Sequence, residues 1–227
     1  MKPLQFHELP QKTRFYFVRH GESEGNRSGR IQGREDSPLT HTGVEHARAA
    51  GEWLADKSIE RIYTSPLLRA ATTAQEIASG CGLKEPTILK DLIELDTGVL
   101  SGRVVEDLRR EEPELYRAFR VHSWEGVPGA ESAASMLTRA RNVWQQLLED
   151  AHSGCRQLLC VTHGGTLQWL LKATMPLSGP HWMPLFSASN CGIFRYAVES
   201  TFDGTDVIDS GEYEGFRGWW DLVNFVP

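Results

Sequence analysis

Phe15-Tyr16-Phe17-Val18-Arg19-His20-Gly21-Glu22-Ser23 joins an apolar run to a polar, glycine-containing segment, and its reading decides the fold. The run predicts a buried strand over 14–19, and the polar residues predict a loop at its carboxyl end. In sheets covered by helices, chemistry is done at that edge, because strand ends hold side chains rigidly while loops leave backbone N–H groups for an anion. Gly21 is expected to permit close backbone approach there. The pattern recurs: Gln157-Leu158-Leu159-Cys160-Val161-Thr162 predicts the strongest buried strand, and His163-Gly164-Gly165 ends it as Arg19-His20-Gly21 ends the first.

Between these two strands the periodicities alternate. Residues 21–40 predict a loop of about 20 residues, longer than ordinary connections and therefore expected to be functional. Thr42, with Glu45 three residues on, is expected to cap a helix. Ser65-Pro66, after a strand over 61–64, reads as the cap and first residue of a second helix ending near Gly80. Further strands are expected over 86–89, 191–198 and 205–210, and helices over 104–110, 113–122, 131–150 and 166–173. This order predicts an α/β fold, a three-layer α/β/α sandwich with a mainly parallel central sheet. One domain is expected over 1–227, with 1–13 as an N-terminal extension. Phe216 to Phe225, with Trp219 and Trp220, is expected to close the core.

The composition bounds the function. With 227 residues, 40% hydrophobic, seven Trp and nine Phe, the chain can bury a sizeable core and is not disordered. A net charge of −6 argues against nucleic acid as a partner. An anionic ligand then needs a local basic pocket, and eighteen Arg against six Lys supply the side chain that grips phosphate with a planar fork. Cys81, Cys155, Cys160 and Cys191 are too few and too irregularly spaced for a disulfide framework. No stretch approaches the roughly 18 apolar residues of a membrane span, and 1–13 lacks a signal-like run, so a cytoplasmic protein without a membrane partner is expected.

Parallel strands bring His20 and His163 to one sheet edge. Two histidines near a carboxylate raise a metal site, although the chain has no His-x-x-x-His or His-Glu-x-x-His spacing. The alternative uses the cations: Arg19 adjoins His20, Arg69 follows another strand end, and together they suit a phosphoryl group. Arg30, Arg34, Arg103, Arg109, Arg110 and Arg120 are expected to be solvated or ion-paired.

The stretch Phe17-Val18-Arg19-His20-Gly21-Glu22-Ser23-Glu24-Gly25-Asn26 resembles the signature of the histidine phosphatase, or phosphoglycerate mutase-like, superfamily. Ordered matches continue through Gln32-Gly33, Asp36-Ser37-Pro38-Leu39-Thr40, Tyr63-Thr64-Ser65-Pro66-Leu67-Leu68-Arg69, Glu94 with Gly98, Pro128-Gly129-Ala130-Glu131-Ser132 and Val161-Thr162-His163-Gly164-Gly165. The resemblance covers roughly residues 14 to 172. It implies that His20 attacks phosphorus, that Arg19, Arg69 and His163 hold the phosphoryl oxygens, and that no metal or other cofactor is required. Glu94 matches the proton donor, with Asp96 as its local rival. Asn26, Gly164, Glu22, Ser23 and Gly33 are further candidates for phosphate or substrate binding.

The chain departs from many relatives at Leu100-Ser101-Gly102 and at Ala130, changes that touch the substrate mouth rather than a reacting group. That mouth is expected in a variable insertion over about 99–130. Glu94-Leu95-Asp96-Thr97-Gly98-Val99 is also similar to a loop of fructose-2,6-bisphosphatases. The expected function is hydrolysis of a small-molecule phosphomonoester through a phosphohistidine. A cofactor-dependent phosphoglycerate mutase is the second reading, against which stands Gly102-Arg103-Val104-Val105 where mutases continue Gly-x-Asn-Lys. A non-catalytic phospho-ligand module is the third, and a homodimer is left open.

Overall fold

The computed structural model describes residues 4–175, 186–199 and 218–227. Six strands form one sheet: β1 (Thr13–Arg19), β2 (Arg61–Thr64), β3 (Thr87–Ile88), β4 (Gln157–Thr162), β5 (Ile193–Val198) and β6 (Gly218–Phe225). Their spatial order is β3-β2-β4-β1-β5-β6. The β3-β2, β2-β4 and β4-β1 pairings are parallel, whereas β5 and β6 add antiparallel strands at one side. In β1, Phe15 and Phe17 enter one core, and Tyr16 and Val18 the other. That alternation explains the continuous apolar run, since both faces of the strand are covered.

Helices α2 (His41–Leu54) and α3 (Leu68–Gly80) cover the Tyr16 face through Ala47, Ala50, Ala70 and Ala74, whose small side chains let helix approach sheet closely. Helices α6 (Ala133–His152) and α7 (Gly164–Lys172) cover the Phe17 face. There Trp144 is fully buried, and its indole N–H donates to the Leu170 carbonyl at 2.9 Å. The N-terminal extension belongs to this core. Phe6 lies edge-on to Trp144, with ring centroids 5.1 Å apart. Three shorter α-helices are also present among the described residues: α1 (Glu24–Arg27) inside the long loop, and α4 (Val105–Glu111) and α5 (Pro113–His122) inside the expected insertion.

Helix starts differ from the sequence expectation: α4, α6 and α7 begin at Val105, Ala133 and Gly164 rather than at 104, 131 and 166, and α2 and α3 are set by the long loop. Thr40, not Thr42, caps α2: its hydroxyl accepts the Gly43 N–H at 3.0 Å and donates to the Glu22 carboxylate at 2.7 Å. Helix α3 begins at Leu68 rather than at Pro66, and the Asp36 carboxylate accepts the Leu68 N–H at 2.7 Å. In both cases the long loop reaches across to the helix start. Residues 205–210, expected as a strand, lie outside the described residues. Strand β5 lies antiparallel to β1 on one side and to β6 on the other, and in β6 Trp220 packs on the core while Trp219 is exposed.

Gly21 serves the fold rather than an anion. Its N–H donates to the Thr73 hydroxyl at 2.9 Å, and a Cβ on it would overlap the carbonyl of Gly43 in α2. Gly21→Ala is expected to destabilise the protein by about 1–3 kcal/mol, the usual consequence of overpacking. Urea unfolding measures this directly, and an unchanged midpoint would refute the close approach.

Candidate active site

Register delivers the two histidines together. Arg19 is paired with Thr162 across the β1–β4 ladder, so the next residues, His20 and His163, emerge side by side with ring centroids 5.1 Å apart. The Gly21 carbonyl lies 2.7 Å from His20 Nδ1. A carbonyl only accepts, so Nδ1 carries the proton and Nε2 keeps its lone pair. Burial, then the charges of Arg19 and Arg69, push the His20 pKa well below 6.5, which leaves the ring neutral at pH 7. A neutral imidazole with its lone pair on Nε2 is a competent nucleophile.

His163 is likewise held well below 6.5, first by burial and then by His20, Arg69 and Arg19. Its Nε2 lies 2.7 Å from the Ser65 hydroxyl, which already accepts the Leu67 N–H. Either atom can donate in that contact, since a hydroxyl oxygen accepts two hydrogen bonds; with Ser65 as donor, the neutral ring carries its proton on Nδ1. That Nδ1, together with Nε of Arg19 and Nε of Arg69, is buried without a hydrogen-bond partner. Arg19 and Arg69 line the cavity with His20, and their guanidiniums suit an anion with several acceptor oxygens; His163 is not among the lining residues but packs beside the His20 ring. The two guanidiniums are aimed by backbone carbonyls. Arg19 donates to Ala188 at 2.5 Å, and Arg69 donates to Gly33 and to Glu35, each at 2.7 Å.

Glu94 joins this group from the loop after β3. Its Oε1 accepts the N–H groups of Leu95 and Thr166, at 2.8 and 3.0 Å, and the Thr166 hydroxyl at 3.2 Å. Oε2 accepts only the Gly165 N–H, at 3.0 Å, and so retains capacity for a proton. The carboxyl thus sits on the first turn of α7, and Gly165 is required because a Cβ there would press on it. From below, Arg139 of α6 donates to the carbonyls of Asp91 and Ile93, at 2.7 and 2.8 Å. Glu131 holds Arg139 through both carboxylate oxygens, at 2.9 and 2.8 Å. Burial raises the Glu131 pKa, but hydrogen bonds from Arg139, Ser135 and the Asp96 N–H together with the Arg139 charge lower it to about 2.

Arg19, His20, Arg69, Glu94 and Gly164 line one cavity of about 350 Å3, with Asn26 and Gly33 on its wall. Glu22 and Ser23 do not line it. Glu22 accepts from Thr40, and Ser23 donates to Asn26 and Gln32 at 3.0 Å each, so both hold the loop. Asn26 points its side-chain oxygen to that capping box and to Asn190 Nδ2 at 3.1 Å. Asp96 Oδ1 accepts the Gly98 N–H at 3.0 Å, a loop-capping role away from the cavity lining. Arg30, expected to be merely solvated or ion-paired, lines the cavity. Ser65, read from the sequence as a helix cap within the matched stretch 63–69, also supports the site, as do Arg139 and Asn190, which no local sequence pattern marks. Among the described residues no group of three or more His, Cys, Asp or Glu is arranged to hold a metal, and no helix is long and apolar enough to cross a membrane.

The sequence pattern of the histidine phosphatase superfamily, branch 1, matches residues 15–202. The chain belongs to that superfamily. A histidine phosphatase relative from Yersinia enterocolitica, named probable phosphoglycerate mutase GpmB, is 38% identical over 182 residues, 79% of this chain and 82% of its own. Among solved structures, mycobacterial glucosyl-3-phosphoglycerate phosphatase superposes with a TM-score of 0.76 at 25% identity, covering 94% of this chain and 99% of that one. Phosphoserine phosphatase from Entamoeba histolytica, solved with 3-phosphoglyceric acid, gives 0.68 at 26% identity, covering 81% and 90%. Histidine phosphatases related to this chain thus carry the names of both phosphatases and mutases.

Burial of the two neutral histidines has a pH signature. Unfolding restores a pKa of about 6.5 to each ring, so the unfolded chain takes up protons first as pH falls. Stability from these rings is complete above about pH 6.5 and declines progressively below it, down to their depressed folded values. Urea unfolding at pH 7.5 and 5.5 is expected to give lower stability at 5.5, with a smaller difference in His163→Gln. Equal pH sensitivity in the two proteins would refute the buried neutral ring.

Proposed function

We propose that this histidine phosphatase is a metal-independent phosphomonoester hydrolase working through a phosphohistidine on His20. The observation that carries the reading is the placement of His20, its Nδ1 committed to the Gly21 carbonyl, in one cavity with the guanidiniums of Arg19 and Arg69 and the Glu94 carboxyl. In the first step His20 Nε2 forms a bond to phosphorus as the bond from phosphorus to the ester oxygen breaks. Arg19, Arg69 and His163 neutralise charge on the equatorial oxygens of that transition state. Protonated Glu94 gives its proton to the departing oxygen, and an alcohol leaves. In the second step the Glu94 carboxylate takes a proton from water, whose oxygen bonds to phosphorus as the N–P bond breaks. Glu94 and His20 return to their starting states, and inorganic phosphate is released.

The name of the Yersinia relative favours a second reading, phosphoglycerate mutase, which uses the same first step and returns the phosphoryl group to substrate. Supplying 3-phosphoglycerate with and without 2,3-bisphosphoglycerate separates the two. Accumulating inorganic phosphate supports the hydrolase, and bisphosphate-dependent formation of 2-phosphoglycerate supports the mutase. If a panel of sugar phosphates, phosphoglycerates, nucleotides and phosphopeptides gives neither product and no labelled enzyme, the chain is a phospho-ligand binding module.

A further inference from the structure

The cavity changes chemistry between its buried and its exposed parts. The deeper residues His20 and Arg69 are almost inaccessible, whereas Ile31, Val105, Phe119 and Trp124 are partly exposed and Arg30 is exposed. Phe119 and Trp124 form a tilted pair with ring centroids 4.9 Å apart. With Ile31 and Val105 they make an apolar wall that phosphate itself cannot use.

Arg30 stands beside this wall. One of its nitrogens donates to the Gly102 carbonyl at 2.7 Å, and no carboxylate pairs with it among the described residues. A phosphate dianion is already matched by Arg19 and Arg69, so the charge of Arg30 is left over. Among the described residues Glu94 is the single carboxylate lining the cavity. An ammonium group on the alcohol would therefore meet a guanidinium and the proposed acid, with no carboxylate of its own.

We infer that the substrate's alcohol half presents an apolar or ring face to Phe119 and Trp124 and a second anionic group to Arg30. The inference rests on the phosphohydrolase reading for its choice of ester, and it makes Arg30 and Trp124 determinants of specificity. Aromatic contact and a charge-assisted hydrogen bond each discriminate without taking part in the bond changes.

Four esters test it: benzyl phosphate, 4-carboxybenzyl phosphate, 4-(aminomethyl)benzyl phosphate and 2-phosphoglycolate. Phosphate release by wild type gives kcat/KM, and calorimetry on His20→Ala gives Kd without turnover. The carboxybenzyl ester is expected to lead benzyl phosphate by about tenfold, the scale of one charge-assisted hydrogen bond. It is expected to lead phosphoglycolate by about tenfold or more through burial of the ring. The aminomethyl ester is expected to be the weakest of the three benzyl esters. Arg30→Gln should collapse the carboxybenzyl-to-benzyl ratio towards one. Trp124→Ala should collapse the carboxybenzyl-to-phosphoglycolate ratio, and Trp124→Phe should largely restore it. Equal Kd values for the carboxylate and ammonium esters, or ratios unmoved by Arg30→Gln, overturn the inference. Phosphate release with flat affinities leaves the hydrolase reading standing, whereas ordered affinities without release or phosphoenzyme remove that reading and leave the pocket assignment.

Discussion

Replacement of His20 by alanine is expected to abolish an acid-labile phosphoenzyme and to lower kcat/KM by at least about 10,000-fold, the scale seen when a catalytic nucleophile is removed. The expectation follows from geometry before chemistry. His20 Nδ1 is committed to the Gly21 carbonyl, Arg19 and Arg69 line the same cavity, and the His163 ring packs beside that of His20. Alanine leaves those donors in position, so the variant should still bind inorganic phosphate or vanadate. Quenching the reaction of a labelled phosphomonoester in alkaline SDS, followed by counting of protein-bound label before and after acid treatment, reads the covalent intermediate. Labelling that persists in His20→Ala, or activity within tenfold of wild type, would remove His20 as nucleophile. His20→Asn, closer in shape, guards against a folding defect.

Glu94→Gln is expected to slow phosphorylation by alkyl esters by about 100- to 10,000-fold, because general-acid help of that size is lost. With p-nitrophenyl phosphate, whose leaving group needs little protonation, the initial burst should keep most of its rate. The following steady state should then be slow, since glutamine cannot take a proton from water. Glutamine keeps most of the local structure: its carbonyl can replace Oε1 in accepting from Leu95 and Thr166, while its amide nitrogen loses the bond from the Gly165 N–H. Stopped-flow measurement of the burst separates the two steps. Equal slowing of the burst for both esters would reject the acid role.

Much of this fold was legible because its central strands are covered on both faces. Gln157–Thr162 has the limits its apolar run predicts, and β1 is extended from the predicted start by one residue. The helix starts were less legible for a physical reason. Thr40 is chosen over Thr42, and Asp36 is recruited to α3, by contacts from a loop distant in sequence. At the site, strand ends marked His20 and His163, whereas Ser65 reaches His163 across 98 positions and Arg139 braces the Glu94 loop across almost fifty. Adjacency to the motif misled as well. Glu22 and Ser23 follow Gly21 directly, yet their side chains turn to the loop and the start of α2.

The segment carrying α4 and α5 has a small core of its own, in which Leu100, Leu108 and Val127 are buried together with Phe119 and Trp124 packed around them. Its buried residues are distinct from those of the two cores that cover the sheet, while Trp124 packs against the Phe17-face core as well and Ile31 of the long loop packs against this one. Most of the apolar wall can therefore be exchanged, with the Trp124 and Ile31 contacts matched, while the strands that hold His20 and His163 keep their register. A protein built this way can acquire a new substrate by recombination of one stretch of gene, and a designer can do the same by grafting 99–130 with its matching residue 31 between relatives.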